Sequence, residues 1–357
     1  MIVIGAGIAG AATAWHLNRA GLHVVVLESG EICSGGSHAA GAFLSPKISK
    51  PSPYATYLNR ALGYTLDFYR RYFPDLLHAD GLLKLPLDAE DAVRCRSYEP
   101  YIDFPWQKRE EGYFFPEAGI VETKPLCRAL LQDIPLYTHT PARTIRREAS
   151  EWIVDDTCRA RYLVLATGSE VDLLPLPYLR RKKIGGYRYD IWFEGAEALA
   201  YNIHRDISVS TALHHPDRIV VGASHIRNAD DLASQAQLDS AGLLARAEAI
   251  VPMPGRTVLA RYHGYRSYSF DYFPIVGPAV DANATLERFP YLRSGARVPA
   301  ERFDYYPDLY LHTALGSRGF VFAPYNAACI TQAIFSGAAI EDRLLPAARF
   351  LKWARKG

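Results

Sequence analysis

The hydrophobic pattern opens on a short β-branched run, Ile2 to Ile4, of the kind that fills a buried parallel strand. Ala14, Leu17 and Ala20 then recur at helical spacing, and Gly21 is placed to end that helix. "HVVVLE" (His23 to Glu28) predicts a second buried strand that closes on an acid. Much later, "ARYLVLATGSEVDLL" (Ala160 to Leu174) predicts another buried strand running into Ala-Thr-Gly, and "ASQAQLDSAGLLARAEAIVP" (Ala233 to Pro252) reads as an amphipathic helix. Near the end, Arg349, Lys352, Arg355 and Lys356 recur at three- and four-residue spacing, which predicts one basic helical face. No apolar run approaches the roughly 18–20 residues needed to span a bilayer, and the sequence carries no internal repeat or low-complexity tract.

Between the first strand and helix stand Gly5, Gly7 and Gly10, spaced G-x-G-x-x-G, with Ile8 and Ala9 opening the helix. The first glycine permits a tight turn, the second lets backbone approach a pyrophosphate, and the third lets helix and strand pack closely. The N–H groups and dipole of the helix N-terminus then favour phosphate. Glu28, followed by Ser29, lies eighteen residues after Gly10, where an acid accepts hydrogen bonds from a ribose. A lone glycine fingerprint is weak, but here strand, helix, second strand and acid fall in register, so dinucleotide binding is expected.

Composition changes this little. The chain has 357 residues, 49% of them hydrophobic and 22% charged, enough for one large core or two lobes. A formal charge of +2 does not by itself argue for nucleic acid. Five cysteines without a C-x-x-C pair argue against a zinc site, a redox dithiol or a disulfide framework. The first strand begins at Met1, leaving no room for a signal peptide, so a cytoplasmic, membrane-free protein is expected.

NAD dehydrogenases and flavoproteins share this opening. Ala166, Thr167 and Gly168 favour a flavin, because many flavoproteins return to the nucleotide on a strand ending this way. No second G-x-G-x-x-G occurs, so electrons are expected to enter from an organic substrate rather than from NAD(P)H. "CSGGSHAAGAFLSPKISK" (Cys33 to Lys50) offers small residues, among them Gly41 and Ala42, that let a loop pass close to a flat cofactor. Lys47 and Lys50 of that loop are placed to meet phosphates or substrate.

Four stretches together resemble the D-amino-acid oxidase/glycine oxidase superfamily of FAD enzymes, and within it the oxidase domain of the bifunctional tRNA wobble-uridine enzymes. They are "GAFLSPKISK", "YFFPEAGIVETKPLCRALL" (Tyr113 to Leu131), "GYRSYSFDYFPIVG" (Gly264 to Gly277) and "YPDLYLHTALGSRGFVFAP" (Tyr306 to Pro324). The terminal "RFLKWARKG" resembles that domain's tail, and the likeness covers nearly the whole chain. Those enzymes carry a methyltransferase domain ahead of the oxidase. Nothing precedes Met1 here, so the expectation is the oxidative step alone, with methylation left to a separate protein. The stretch from Arg180 to Arg205 matches weakly.

The resemblance implies an α/β fold: a Rossmann-type FAD-binding domain (residues 1–75, 112–174 and 266–357) interleaved with a smaller, mainly antiparallel α+β substrate domain (76–111 and 175–265). It makes Arg266 the anchor for a substrate carboxylate, flanked by Tyr265 and Tyr268, with a structural ion pair to Asp271 as the bland alternative. Arg318 is placed on the turn opening the last helix, where Gly316, Ser317, Gly319 and Phe320 would bring backbone near the flavin. The activity implied is removal of the carboxymethyl group from 5-carboxymethylaminomethyl-(2-thio)uridine in tRNA, releasing glyoxylate. Arg180, Arg181, Lys182 and Lys183, together with the C-terminal basic face, are candidate RNA contacts. Oxidation of free glycine, sarcosine or a D-amino acid is the alternative within the fold, and a non-catalytic flavin- or RNA-binding platform the alternative outside enzymology.

Overall fold

The computed structural model describes residues 1–169, 173–213, 218–227 and 240–356. The expected N-terminal unit is present. Strand Ile2–Ile4 leads into helix Ile8–Arg19, and strand Val25–Leu27 returns parallel to the first. Leu163–Leu165 lies parallel on the other side of the first strand, which brings Ala166, Thr167 and Gly168 beside the glycine turn. The six-stranded sheet runs Ile275–Val280, Tyr305–Thr313, Leu163–Leu165, Ile2–Ile4, Val25–Leu27, Leu136–Tyr137, parallel except for its first pair.

The second sheet has nine strands. Its order is Ile226–Arg227, Arg181–Trp192, Arg218–Gly222, Ser208–Val209, Asn202–His204, Leu82–Lys84, Tyr113–Phe115, Gln107–Lys108, with Thr257–Ser269 pairing along Arg181–Trp192. Only Asn202–His204 and Leu82–Lys84 run parallel, so the sheet is mainly antiparallel, as expected. Tyr113–Phe115 belongs to this sheet, and Thr257–Ser269 carries Arg266 as part of it. Of the expected helix over Ala233–Pro252, Ser240–Glu248 is helical, while 233–239 fall outside the described residues.

Helix Pro53–Tyr72 begins on Ser52, whose hydroxyl accepts from the Ala55 N–H at 3.1 Å. It lies against helix Gly319–Ser336, which contains Pro324. A proline inside a helix supplies no N–H to the carbonyl four residues back. That carbonyl belongs to Phe320, and the buried Tyr69 hydroxyl donates to it at 2.9 Å; Thr65 likewise donates to Val321 O at 2.7 Å. Tyr69→Phe is therefore expected to lower stability by about 1–2 kcal/mol, read from chemical denaturation, because it strands a buried acceptor.

Helix Gly319–Ser336 is followed by the helix expected near the C-terminus, Pro346–Ala354. Its Arg349 is buried and does not share an exposed basic face with Lys352. The guanidinium donates to Arg343 O at 2.7 Å and to Asp271 at 3.1 Å, with Phe273 O and Pro274 O also in reach. Arg355 sits at the helix C-cap. Spacing alone cannot distinguish a solvated arginine from one whose donors are taken up by turns elsewhere in the chain.

Candidate functional site

The glycine turn shows why residue size matters at the start of the chain. A Cβ at Gly10 would overlap the Gly5 carbonyl, so Gly10 sets the approach of helix to strand and does not itself line the cleft. Helix Ile8–Arg19 has no side-chain cap; its Ile8 N–H donates to Ser37 Oγ at 3.0 Å. Glu28 is buried, accepting from Ala6 N–H at 2.7 Å and from Gly30 N–H at 2.8 Å.

A cleft of about 720 Å³ extends from this turn to the nine-stranded sheet. Gly5, Gly7, Ile8, Ala9, Glu28, Ser29, Gly41, Ala42, Ala166, Thr167 and Gly168 line one part. Gly316, Ser317, Arg318, Gly319 and Phe320 line another, at the start of helix Gly319–Ser336. A Cβ at Gly319 would touch Ile8, so two helix N-termini meet there and both favour anionic groups. The size, the glycine turn at the helix N-terminus and the buried acid after the second strand fit a dinucleotide with its pyrophosphate at the turn.

Arg266 and Tyr265 also line the cleft. Arg266 Nη1 donates to Ser224 O at 3.0 Å and to Gly185 O at 3.3 Å, and its guanidinium lies on Gly186, where a Cβ would collide with it. Burial pulls its pKa below the ordinary guanidinium value, with Tyr268 acting in the opposite direction, yet an arginine stays charged at neutral pH. Asp271, the alternative partner considered for it, is bonded to Arg349 and Lys352 instead. Arg318 Nη1 donates to Ser45 O at 2.7 Å and Ser45 Oγ at 2.9 Å. Burial likewise pulls the Arg318 pKa below the ordinary guanidinium value, with Tyr54 and Tyr268 acting in the opposite direction. The Tyr268 ring is buried against Gly316, which takes a φ of 59° that favours glycine, and it stands behind the lining rather than in it. Lys47 lies outside the lining as well, its Nζ 5.2 Å from the Tyr54 ring, and partial burial lowers its pKa with Arg318 adding to the effect.

Sequence patterns missed much of the second wall. His204, Ile207, Ser208, Gly222, Ala223 and His225 reach the cleft from strands and adjoining loops that carry no motif. Lys84, paired in register with His204, has its pKa pushed down to about 8, first by burial and then by Arg318 and Lys47. Burial, Lys84 and Arg318 take His204 down to about 3. Among the described residues none of Lys47, Lys84, Arg266 and Arg318 forms a salt bridge with a carboxylate; Arg266 and Arg318 line the cleft, which Glu28 and Asp206 also line. Because Lys84 holds its proton less tightly folded than unfolded (10.5), its penalty is complete below pH 8 and fades as pH rises towards 10.5. Lys84→Met is expected to stabilise the flavin-free protein by about 1–3 kcal/mol at pH 7, allowing for partial exposure, with the gain shrinking above pH 8 in denaturant titrations.

All five cysteines are unpaired, no group of potential metal ligands occurs among the described residues, and no helix there is long and apolar enough to cross a membrane. Among solved structures, glycine oxidase from Geobacillus kaustophilus superposes with a TM-score of 0.74 at 18% identity, covering 96% of this chain and 97% of that one. Iminodiacetate oxidase from Chelativorans sp. BNC1 gives 0.73 at 18%, over 97% and 98%. Curated relatives include the tRNA 5-methylaminomethyl-2-thiouridine biosynthesis bifunctional protein of Legionella pneumophila (strain Corby), 29% identical over 90% of this chain and 52% of its own length. The protein of the same name from Ectopseudomonas mendocina is 28% identical over 98% and 57%, so the chain spans about half the length of these relatives. The family model described as FAD dependent oxidoreductase (DAO) matches residues 1–333, and the chain belongs to that family of FAD-dependent enzymes.

Proposed function

We propose that this enzyme oxidises the carboxymethylaminomethyl group of a wobble uridine in tRNA, leaving an aminomethyl group and glyoxylate. The observation that carries the reading is Arg266: a charged guanidinium lining the cleft, fixed by two carbonyls and without a carboxylate of its own among the described residues. Its planar fork suits a substrate carboxylate. Bound FAD supplies the two-electron acceptor for the carboxymethyl carbon. As a hydride leaves that carbon, the nitrogen lone pair closes the C=N bond of a protonated imine, and water hydrolyses it to the primary amine and glyoxylate with release of a proton. Arg266 orients the carboxylate throughout, while Arg318 and the N-terminus of helix Gly319–Ser336 favour negative charge at the cofactor's end of the cleft. Gly5 to Gly10, Glu28 and Ala166 to Gly168 are assigned to holding the dinucleotide. Lys47 and Tyr268 are assigned to shaping the approach.

The names of the curated relatives support tRNA as substrate, and the methylation implied by those names falls to a methyltransferase acting on the product. The names of the structural neighbours favour the second reading, a free N-substituted glycine or an amino acid. Anaerobic bleaching of the flavin absorption separates the two. Bleaching by carboxymethylaminomethyl-bearing tRNA, and not by glycine, sarcosine or D-alanine, is the expected result; bleaching by a free amino acid alone overturns the tRNA reading.

A further inference from the structure

The turn between strands Thr257–Ser269 and Ile275–Val280 presents two large aromatic side chains to solvent, Phe270 (60% exposed) and Tyr272 (59%). Between them Asp271 faces inward. Its carboxylate accepts from Ser269 Oγ at 2.9 Å, Arg349 at 3.1 Å and Lys352 at 3.3 Å. The turn is thus held from beneath while both rings stand out. Tyr272 adopts a left-handed backbone (φ 67°), a conformation that disfavours side chains bearing a Cβ, and the Asp271 contacts hold it there.

The surroundings are basic. Lys182 Nζ lies 4.6 Å from the Phe270 ring centroid, Lys183 Nζ lies 3.9 Å from that of Tyr265, and Lys352 is exposed beside Asp271. The patch also runs into the cleft. Tyr272 meets the Tyr268 ring edge-on at 6.0 Å, Tyr268 rests on Gly316, and Tyr265 and Gly316 both line the cavity.

We propose that Phe270 and Tyr272 form a stacking platform for the unpaired bases flanking the modified nucleotide, with Lys182 following the phosphates. Exposed rings flanked by lysines are the complement of a single strand: every base offers a face to stack, and the backbone between bases is anionic. This rests on the tRNA reading and adds to it the surface that receives the loop.

The test is fluorescence anisotropy of a labelled, uridine-rich seven-nucleotide RNA with the FAD-loaded protein. Phe270→Ala and Tyr272→Ala are each expected to weaken binding about tenfold, and Phe270→Leu to behave like Phe270→Ala because it keeps apolar bulk without a ring face. Phe270→Trp should retain affinity. Flavin absorption of each variant reports its folding. Wild-type binding unchanged in the double alanine variant, no binding by the wild type, or tighter binding of a duplex of equal length would each overturn the platform. The reading of the reaction fails separately, through absence of bleaching by modified tRNA whatever the anisotropy shows.

Discussion

Replacing Arg266 by alanine is expected to lower kcat/KM for the carboxymethylaminomethyl substrate by about two to three orders of magnitude, because a buried, charge-assisted contact is worth about 2–5 kcal/mol when one partner is removed. The guanidinium that Ser224 O and Gly185 O now orient would be gone, and the carboxylate would enter a cleft with nothing to fix its distance from the flavin. Most of the loss should appear in the rate of flavin reduction at saturating substrate, since position controls the reacting geometry. Arg266→Lys keeps a charge but not the fork, and should recover part of KM and little of the rate. Stopped-flow reduction of the two variants checks this. Equal rates in Arg266→Ala and the wild type would remove the anchor from the mechanism.

The second large effect is on stability. Asp190, 2% exposed, accepts from Arg218 at 2.9 Å and from the Tyr262 hydroxyl at 3.3 Å, and lies 3.9 Å from Arg188. Arg218 continues the chain of charges to Glu122 at 2.6 Å. Arg188 is itself buried, with the Tyr262 ring 4.5 Å from its guanidinium carbon. Asp190→Ala would leave the buried Arg188 and the partly exposed Arg218 with one remaining acid, Glu122. We expect a loss of about 3–5 kcal/mol, measured as a shift of the denaturant midpoint. A double replacement of Asp190 and Arg188 by apolar residues should cost less than Asp190→Ala alone, since the uncompensated charge goes with its partner.

What was legible in the sequence was what depends on neighbours a few residues apart. The Gly5-Gly7-Gly10 turn, the helix after it and the strand ending at Glu28 all obey local rules, and each stands in the structure. The return strand Leu163–Leu165 could be read because a fully buried parallel strand is continuously apolar. The far wall of the cleft could not. His204, Ser208 and His225 reach it because strand pairing brings separate segments together, and pairing leaves no local mark. No motif marks Lys84; its depressed pKa comes from burial together with Arg318 and Lys47, distant in the chain. Arg349 was misread for the same reason in reverse, its spacing suggesting solvent while Asp271 and three carbonyls draw it inward.

The strand order of the six-stranded sheet has a consequence for how the protein is made. Ile2–Ile4 leaves the ribosome long before Tyr305–Thr313, the strand that flanks Leu163–Leu165. Thr13 of the first helix bonds His312, 299 residues later, and Tyr57 bonds Asn326, 269 residues later. Such long closures slow folding and keep apolar edges open while the chain grows. The Arg318 side of the cleft cannot form until that segment arrives, so tight retention of FAD waits for it. Ribosome-stalled chains ending before Tyr305 should accordingly release the flavin that full-length chains keep.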